Sequence, residues 1–199
     1  GHFTEVGSEA GIISAAVMGG QFIDMELDGR LDIILGPGSH PLHNIQPLFL
    51  YRNDGGDRFT NVVPYSNPRF WGKNHGMAFA DVDRDGDPDL FVNNGGVMSS
   101  DQWRDMFLEN TTVGKTWLHI GLVGTDSNRS AIGARATVNV AGRTLMQEKA
   151  AGQGFGGTNS PYLIFGLDDA AEVDNVTIRW PNGKQQRVPA LAANQAIIV

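Results

Sequence analysis

Short apolar runs alternate along this chain with glycine- and acid-rich turns, and no stretch sustains a helical period. Gly19-Gly20-Gln21-Phe22-Ile23 leads into an acidic segment, Ile33-Ile34-Leu35 leads out of it, and Gly36-Pro37-Gly38 turns the chain. Two further strands are predicted, Leu48-Phe49-Leu50-Tyr51-Arg52-Asn53 and Arg58-Phe59-Thr60-Asn61-Val62. The order then repeats. Gly76-Met77-Ala78-Phe79-Ala80 enters a second acidic segment, Leu90-Phe91-Val92 leaves it, Asn94-Gly95-Gly96 turns, and Met106-Phe107-Leu108-Glu109-Asn110 is the next strand. Each unit, over about 3–62 and 63–114, predicts one four-stranded antiparallel blade of the kind that builds propellers. His2-Phe3-Thr4-Glu5-Val6 resembles Arg58–Val62 and reads as a strand closing an earlier unit.

From Lys115 the repeat stops. Trp117–Val123, Ala134–Val140, Tyr162–Phe165, Val176–Trp180 and Ala196–Val199 read as strands, punctuated by Ala141-Gly142, Pro181-Asn182-Gly183 and the glycine-rich run from Gly152 to Gly157. About six to eight short strands over 115–199 predict a small β-sandwich or barrel. The fold class is therefore all-β: two blades of a partial propeller followed by that smaller domain.

The acidic segments carry the candidate chemistry. Asp81, Asp83, Asp85, Asp87 and Asp89 alternate along ten residues, with Gly86 where the chain turns sharply. Like charges so close repel one another unless a cation lies between them, and calcium takes six to eight oxygens from such a loop. The expected ligands are the side chains of Asp81, Asp83, Asp85 and Asp89 and the backbone carbonyl of Asp87. Exactly in register, 57 residues earlier, stand Asp24, Glu26, Asp28, Gly29, Arg30 and Asp32, with Arg30 offering its carbonyl. Two calcium ions are expected. Asn53 and Asn110 share the 57-residue spacing, so the repeat extends beyond the loops. An EF-hand needs flanking helices and a bidentate Glu at the twelfth loop position; Leu35 and Val92 stand there, within apolar β-rich runs.

Charge and composition sharpen this picture. The net charge is −7, and nine of the 22 acidic residues lie in the two loops, so two calcium ions would leave about −3. No basic stripe appears, which excludes a nucleic-acid partner. Cysteine is absent, which removes disulfides and thiol catalysis. No apolar run approaches the roughly 20 residues of a membrane span. Weak calcium sites belong mostly outside the cytosol, so an extracellular or periplasmic, bacterial location is expected. The chain begins at Gly1-His2, read as a remnant ahead of a piece of a longer secreted protein.

The two loops with their flanking strands resemble the FG-GAP (VCBS) repeat, the calcium-binding blade of integrin-type β-propellers. Asn128–Arg135, Gly152–Gly157, Ser160–Leu167 and Val176–Gly183 resemble the ASPIC/UnbV domain found in cartilage acidic protein and in bacterial secreted proteins. The resemblance implies a secreted calcium-binding adhesion or interaction module. It supplies no catalytic residues, and none is assigned. Glu26 departs from the usual Asp or Asn, which puts the first site in doubt. Two blades do not close a propeller, which needs at least four, so a fragment of a longer chain, an unusual packed form or part of an oligomer is expected.

The remaining constellations are weaker. His40 and His43 have zinc-like spacing without a third ligand nearby and read as a surface loop. His75 and His119 read as packed or hydrogen-bonded histidines. Ser130 with Asp126 lacks a nucleophile elbow and reads as a turn. Asn110, Asn128 and Asn175 match the short glycosylation pattern. Trp117 and Trp180 read as core, whereas Trp71 and Trp103 lie in loops where they stack on sugars or cover a blade edge. The leading function is a non-catalytic calcium-binding module for a protein or glycan partner. The alternative is an enzyme or accessory domain acting on glycans or a secondary metabolite, for which a pocket joining a metal site to His75 or Trp71 would speak.

Overall fold

The computed structural model describes residues 1–13, 16–38, 45–64, 66–95 and 103–199. The zinc-like pair His40 and His43 lies outside the described residues. The first unit comprises β1 (Val17–Ile23), β2 (Asp32–Pro37), β3 (Gln46–Pro47), β4 (Phe49–Gly55) and β5 (Arg58–Asn61). A 3-10 turn at Pro68–Phe70 leads to β6 (Trp71–Gly72), β7 (Asn74–Ala80), β8 (Asp89–Asn94) and β9 (Met106–Leu108). The rest of the chain holds β10 (Thr116–Gly121), β11 (Arg135–Val140), β12 (Arg143–Glu148), β13 (Tyr162–Asp168) and β14 (Glu172–Val173). It ends with β15 (Asn175–Arg179), β16 (Gln185–Val188), β17 (Leu191–Ala192) and β18 (Gln195–Ile198). No α-helix occurs among the described residues.

The first blade is the expected antiparallel sheet in the order β1-β2-β4-β5. Among the described residues the second has three strands, β7-β8-β9, and this corrects the expectation of a fourth. The residues after β9 run across the acidic loops instead: the Asn110 and Thr112 amides donate to Asp89 and Asp87 (2.9 and 2.8 Å). His2–Val6 forms no strand either, and Phe3 stands fully exposed with nothing to pair against. The next segment covers the outer strand of the first blade, where the Phe59 amide donates to the Ala10 carbonyl (2.8 Å).

Alternation decides which side chains meet. Ile23, Ile34, Met77, Phe79, Leu90 and Val92 all point inward from β1, β2, β7 and β8, and with Leu48 they form one core between the two blades. Each such side chain contributes about 1.5–3 kcal/mol when fully buried. The blades approach closely at Gly36, where an added Cβ would lie 1.9 Å from the Asn74 carbonyl oxygen. The two-residue strands β3 and β6 pair across the connection between units.

Residues from 115 onward form two facing sheets, β13-β10-β18 and β12-β11-β15-β16, joined by the small pair β14-β17. Leu118, Ile120, Val138, Phe165, Val176 and Ile178 are buried in the core between them. No sheet closes into a barrel, so the sandwich is the form adopted. The strand β10 pairs antiparallel with β13 and parallel with β18, which places the final strand beside the first of this region.

Candidate metal centre

The two acidic loops are hairpin connections, β1 to β2 and β7 to β8, and they share one backbone. Leu27 and Arg84 take positive φ at the same register position (55° and 67°), as do Gly29 and Gly86 (82° and 107°). The left-handed residues bend each loop so that alternate side chains converge, a conformation glycine adopts at little cost. In both, the last aspartate closes the loop. Asp32 accepts from the Met25 and Asn53 amides (2.8 and 2.7 Å), and Asp89 accepts from Val82 and Asn110 (2.8 and 2.9 Å). Asn53 and Asn110 also donate their side-chain amides to the Leu31 and Pro88 carbonyls. The 57-residue spacing of these asparagines reflects that role, which was visible as repetition but not as chemistry.

The second loop gathers its acids. Asp81, Asp83 and Asp89 each bring a carboxylate oxygen within 4.8 Å of the others, the one such group among the described residues. Asp87 and Asp89 are buried at its base, Asp81 is half-buried, and Asp83 and Asp85 open to solvent. Asp85 stays outside the group, and its Oδ1 accepts from the Asp87 amide (3.1 Å). The Asp87 side chain points inward and accepts from Thr112, so this residue brings a carboxylate to the loop where only its carbonyl was expected. Two buried oxygens, Oδ1 of Asp81 and Oδ1 of Asp87, have no hydrogen-bond partner. An unpaired buried oxygen is costly. Burial, then the charges of Asp85, Asp89 and Asp83, pushes the Asp87 carboxyl up to about 7. This set of hard oxygen donors can hold a metal ion.

The first loop arranges its acids differently. Both carboxylate oxygens of Asp24 accept loop amides, from Asp28 and Gly29 (3.0 and 2.9 Å), and burial lifts its carboxyl to about 7. Asp28 is paired with the Arg30 guanidinium, and Glu26 lies 3.8 Å from Arg52. Asp24, Glu26, Asp28 and Asp32 form no group like that of the second loop.

Both loops press against the C-terminal sandwich. Arg143 donates to the Asp28 carbonyl (2.7 Å), and the Asp168 amide donates to the Leu27 carbonyl (2.8 Å). At the second loop, His119 Nε2 lies 3.1 Å from the Gly86 carbonyl oxygen and Nδ1 lies 3.7 Å from Asp81. Burial lowers the His119 pKa, favouring the neutral ring. Trp117 packs against His119 with centroids 4.3 Å apart and the rings tilted by 39°, and it covers Gly86, where an added Cβ would lie 1.8 Å from Nε1. Trp117 thus seals the junction rather than filling the core, because its half of the β10 alternation faces the repeat unit. Trp180 is half-buried against the sandwich core as expected.

The other candidates resolve into structure. Asp126 pairs with Lys184, and Asn128, two residues before Ser130, caps its own turn by accepting from the Ile132 amide, so Asn128–Ser130 is the turn that was expected. The Asn110 side-chain amide is engaged by Met25 and Pro88. A cavity of about 280 Å³ opens between the two blades and the sandwich, walled by Phe22, Asp24, Phe79, Lys149 and Tyr162 among others; neither His75 nor Trp71 lines it.

Two family models match stretches of the chain. Residues 24–92 match the family model described as FG-GAP-like repeat, a span that begins at the first acid of one loop and ends in β8 beyond the other. Residues 124–199 match the model described as ASPIC and UnbV. No curated protein matches the chain. FG-GAP repeats are propeller-type blades typical of extracellular proteins, and no helix among the described residues is long and apolar enough to cross a membrane. With a repeat hairpin at each acidic loop and a sandwich closing over both, the chain is an FG-GAP repeat protein with a C-terminal UnbV domain.

Proposed function

We propose that the chain is a secreted, non-catalytic interaction module whose second acidic loop binds calcium, and whose partner is a protein or a glycan. The observation that carries this reading is the convergence of Asp81, Asp83 and Asp89, together with the buried, unpartnered oxygens of Asp81 and Asp87. Ionised carboxylates this close repel, and a bound divalent cation offsets that repulsion. The Asp81, Asp83 and Asp89 side chains hold the ion, and solvent reaches it past Asp83 and Asp85. Its role is architectural, since the same loop anchors the Asn110–Thr112 segment and receives Trp117 and His119 from the sandwich. Ion binding therefore fixes the surfaces of the two regions relative to each other, as an adhesion or recognition module requires.

Calorimetric titration with calcium chloride tests the reading. The wild-type chain takes up calcium and D83A/D85A loses that uptake; absence of binding by the wild type ends the calcium reading.

A further inference from the structure

We infer that the first acidic loop is not a second calcium site but an arginine-neutralised clamp holding the repeat unit to the UnbV sandwich without an ion. This rests on the calcium reading only for its comparison with the second loop; the clamp itself stands on contacts in the first.

The two loops share a backbone, so their difference lies in the side chains. At the position where the second loop has Asp87, the first has Arg30, a reversal of charge. Arg30 folds back on Asp28, its Nη2 and its own amide engaging the two carboxylate oxygens, while its Nε donates to the Asn53 carbonyl (3.1 Å). Every carboxylate oxygen of Asp24, Asp28 and Asp32 thereby has a donor. In the second loop two buried oxygens lack one, and among the described residues no arginine or lysine pairs with Asp81, Asp83, Asp85, Asp87 or Asp89.

A second guanidinium closes the first loop from the sandwich side. Arg143 on β12 spans the junction, donating to the Asp28 carbonyl (2.7 Å) and to the Leu167 carbonyl (3.1 Å). Beside it the loop lies flat on β13. A Cβ on Gly166 would come within 2.2 Å of Asp24 Oδ2 and 2.4 Å of Leu27, so the loop rests directly on the backbone of β13. The planar guanidinium suits this task, since its fixed fork reaches two carbonyls on different elements at once. One duplicated hairpin has thus taken two forms, an open carboxylate cup and a closed cationic latch.

The test is calcium stoichiometry on the full chain together with thermal melting of R143M. The inference expects one ion per wild-type chain, none in D83A/D85A, and a Tm lowered by about 4–8 °C in R143M, equally in calcium and in chelator. Two ions in the wild type, or one remaining in D83A/D85A, overturn it. If the wild type takes up no calcium, the calcium reading fails, and melting in chelator alone decides the clamp: a lowered R143M Tm supports it and an unchanged Tm overturns it.

Discussion

Replacing Gly86 with alanine probes the junction between the acidic loop and the sandwich most sharply. Two costs add. Gly86 has φ of 107°, where an L-residue is strained by about 1–3 kcal/mol. The new methyl would also sit 1.8 Å from Nε1 and 2.2 Å from Cδ1 of Trp117, so the indole must leave its seat on the loop. Overpacking of that kind costs a further 1–3 kcal/mol or so, giving roughly 2–6 kcal/mol in total. Gly183→Ala provides the control, since Gly183 has φ of 86° and nothing within 4 Å of the added Cβ. It should lose only the strain. Urea melts followed by tryptophan fluorescence measure both, and a cycle with Trp117→Ala isolates the clash. In the Trp117→Ala background the cost of Gly86→Ala should fall to that of the control. Equal costs for Gly86→Ala and Gly183→Ala in the wild-type background, or no coupling to Trp117, would refute the docking account.

Three further outcomes follow from the same geometry. Asp24 and Asp87 are buried and titrate near 7 instead of 3.8, so between those values the folded state holds protons that the unfolded state has released. Stability without calcium is therefore full below about pH 4 for these groups and falls as pH rises to 7, by at most about 4 kcal/mol for Asp24 and by less for Asp87, whose surroundings are partly screened by solvent, and calcium should flatten only the Asp87 share; chelated melts across that range check the sign. Asn159→Ala removes the acceptor of the Phe79 amide (3.0 Å) and the donor to Gln21 (2.8 Å), and should cost about 1–3 kcal/mol in urea melts. Ile178→Ala opens the sandwich core, where the side chain is wholly buried, and should cost about 2–5 kcal/mol by the same measurement.

The strand pattern of the first blade was legible because its alternation and its turns agree: Ile33-Ile34-Leu35 and the Leu48–Asn53 run become β2 and β4 nearly as read. The second blade kept that rhythm through β9, but Asn110 and Thr112 spend their amides on Asp89 and Asp87, a long-range choice that no local pattern announces. Strand β12 escaped notice because Arg143-Thr144-Leu145-Met146-Gln147-Glu148 lies at a sheet edge and mixes long polar side chains with apolar ones. At the site, the acids were evident from spacing. Their different fates were not, since Arg143 reaches the first loop from 115 residues away, and Gly166 and Trp117 meet the loops only once the sandwich has folded. Glu26 in the place of Asp83 and the charge reversal at Arg30 were the local signs, and the second carries meaning only beside Asp87.

Thermal melting in calcium and in chelator, for the wild type and D83A/D85A, tests the central claim most directly. An ion bound at the second loop at a hundred times its dissociation constant adds about 2.7 kcal/mol, or roughly 5–11 °C in a chain of this size. The wild-type Tm should rise by that amount in calcium, with no rise in D83A/D85A. Superimposable wild-type melts in calcium and chelator would contradict the account.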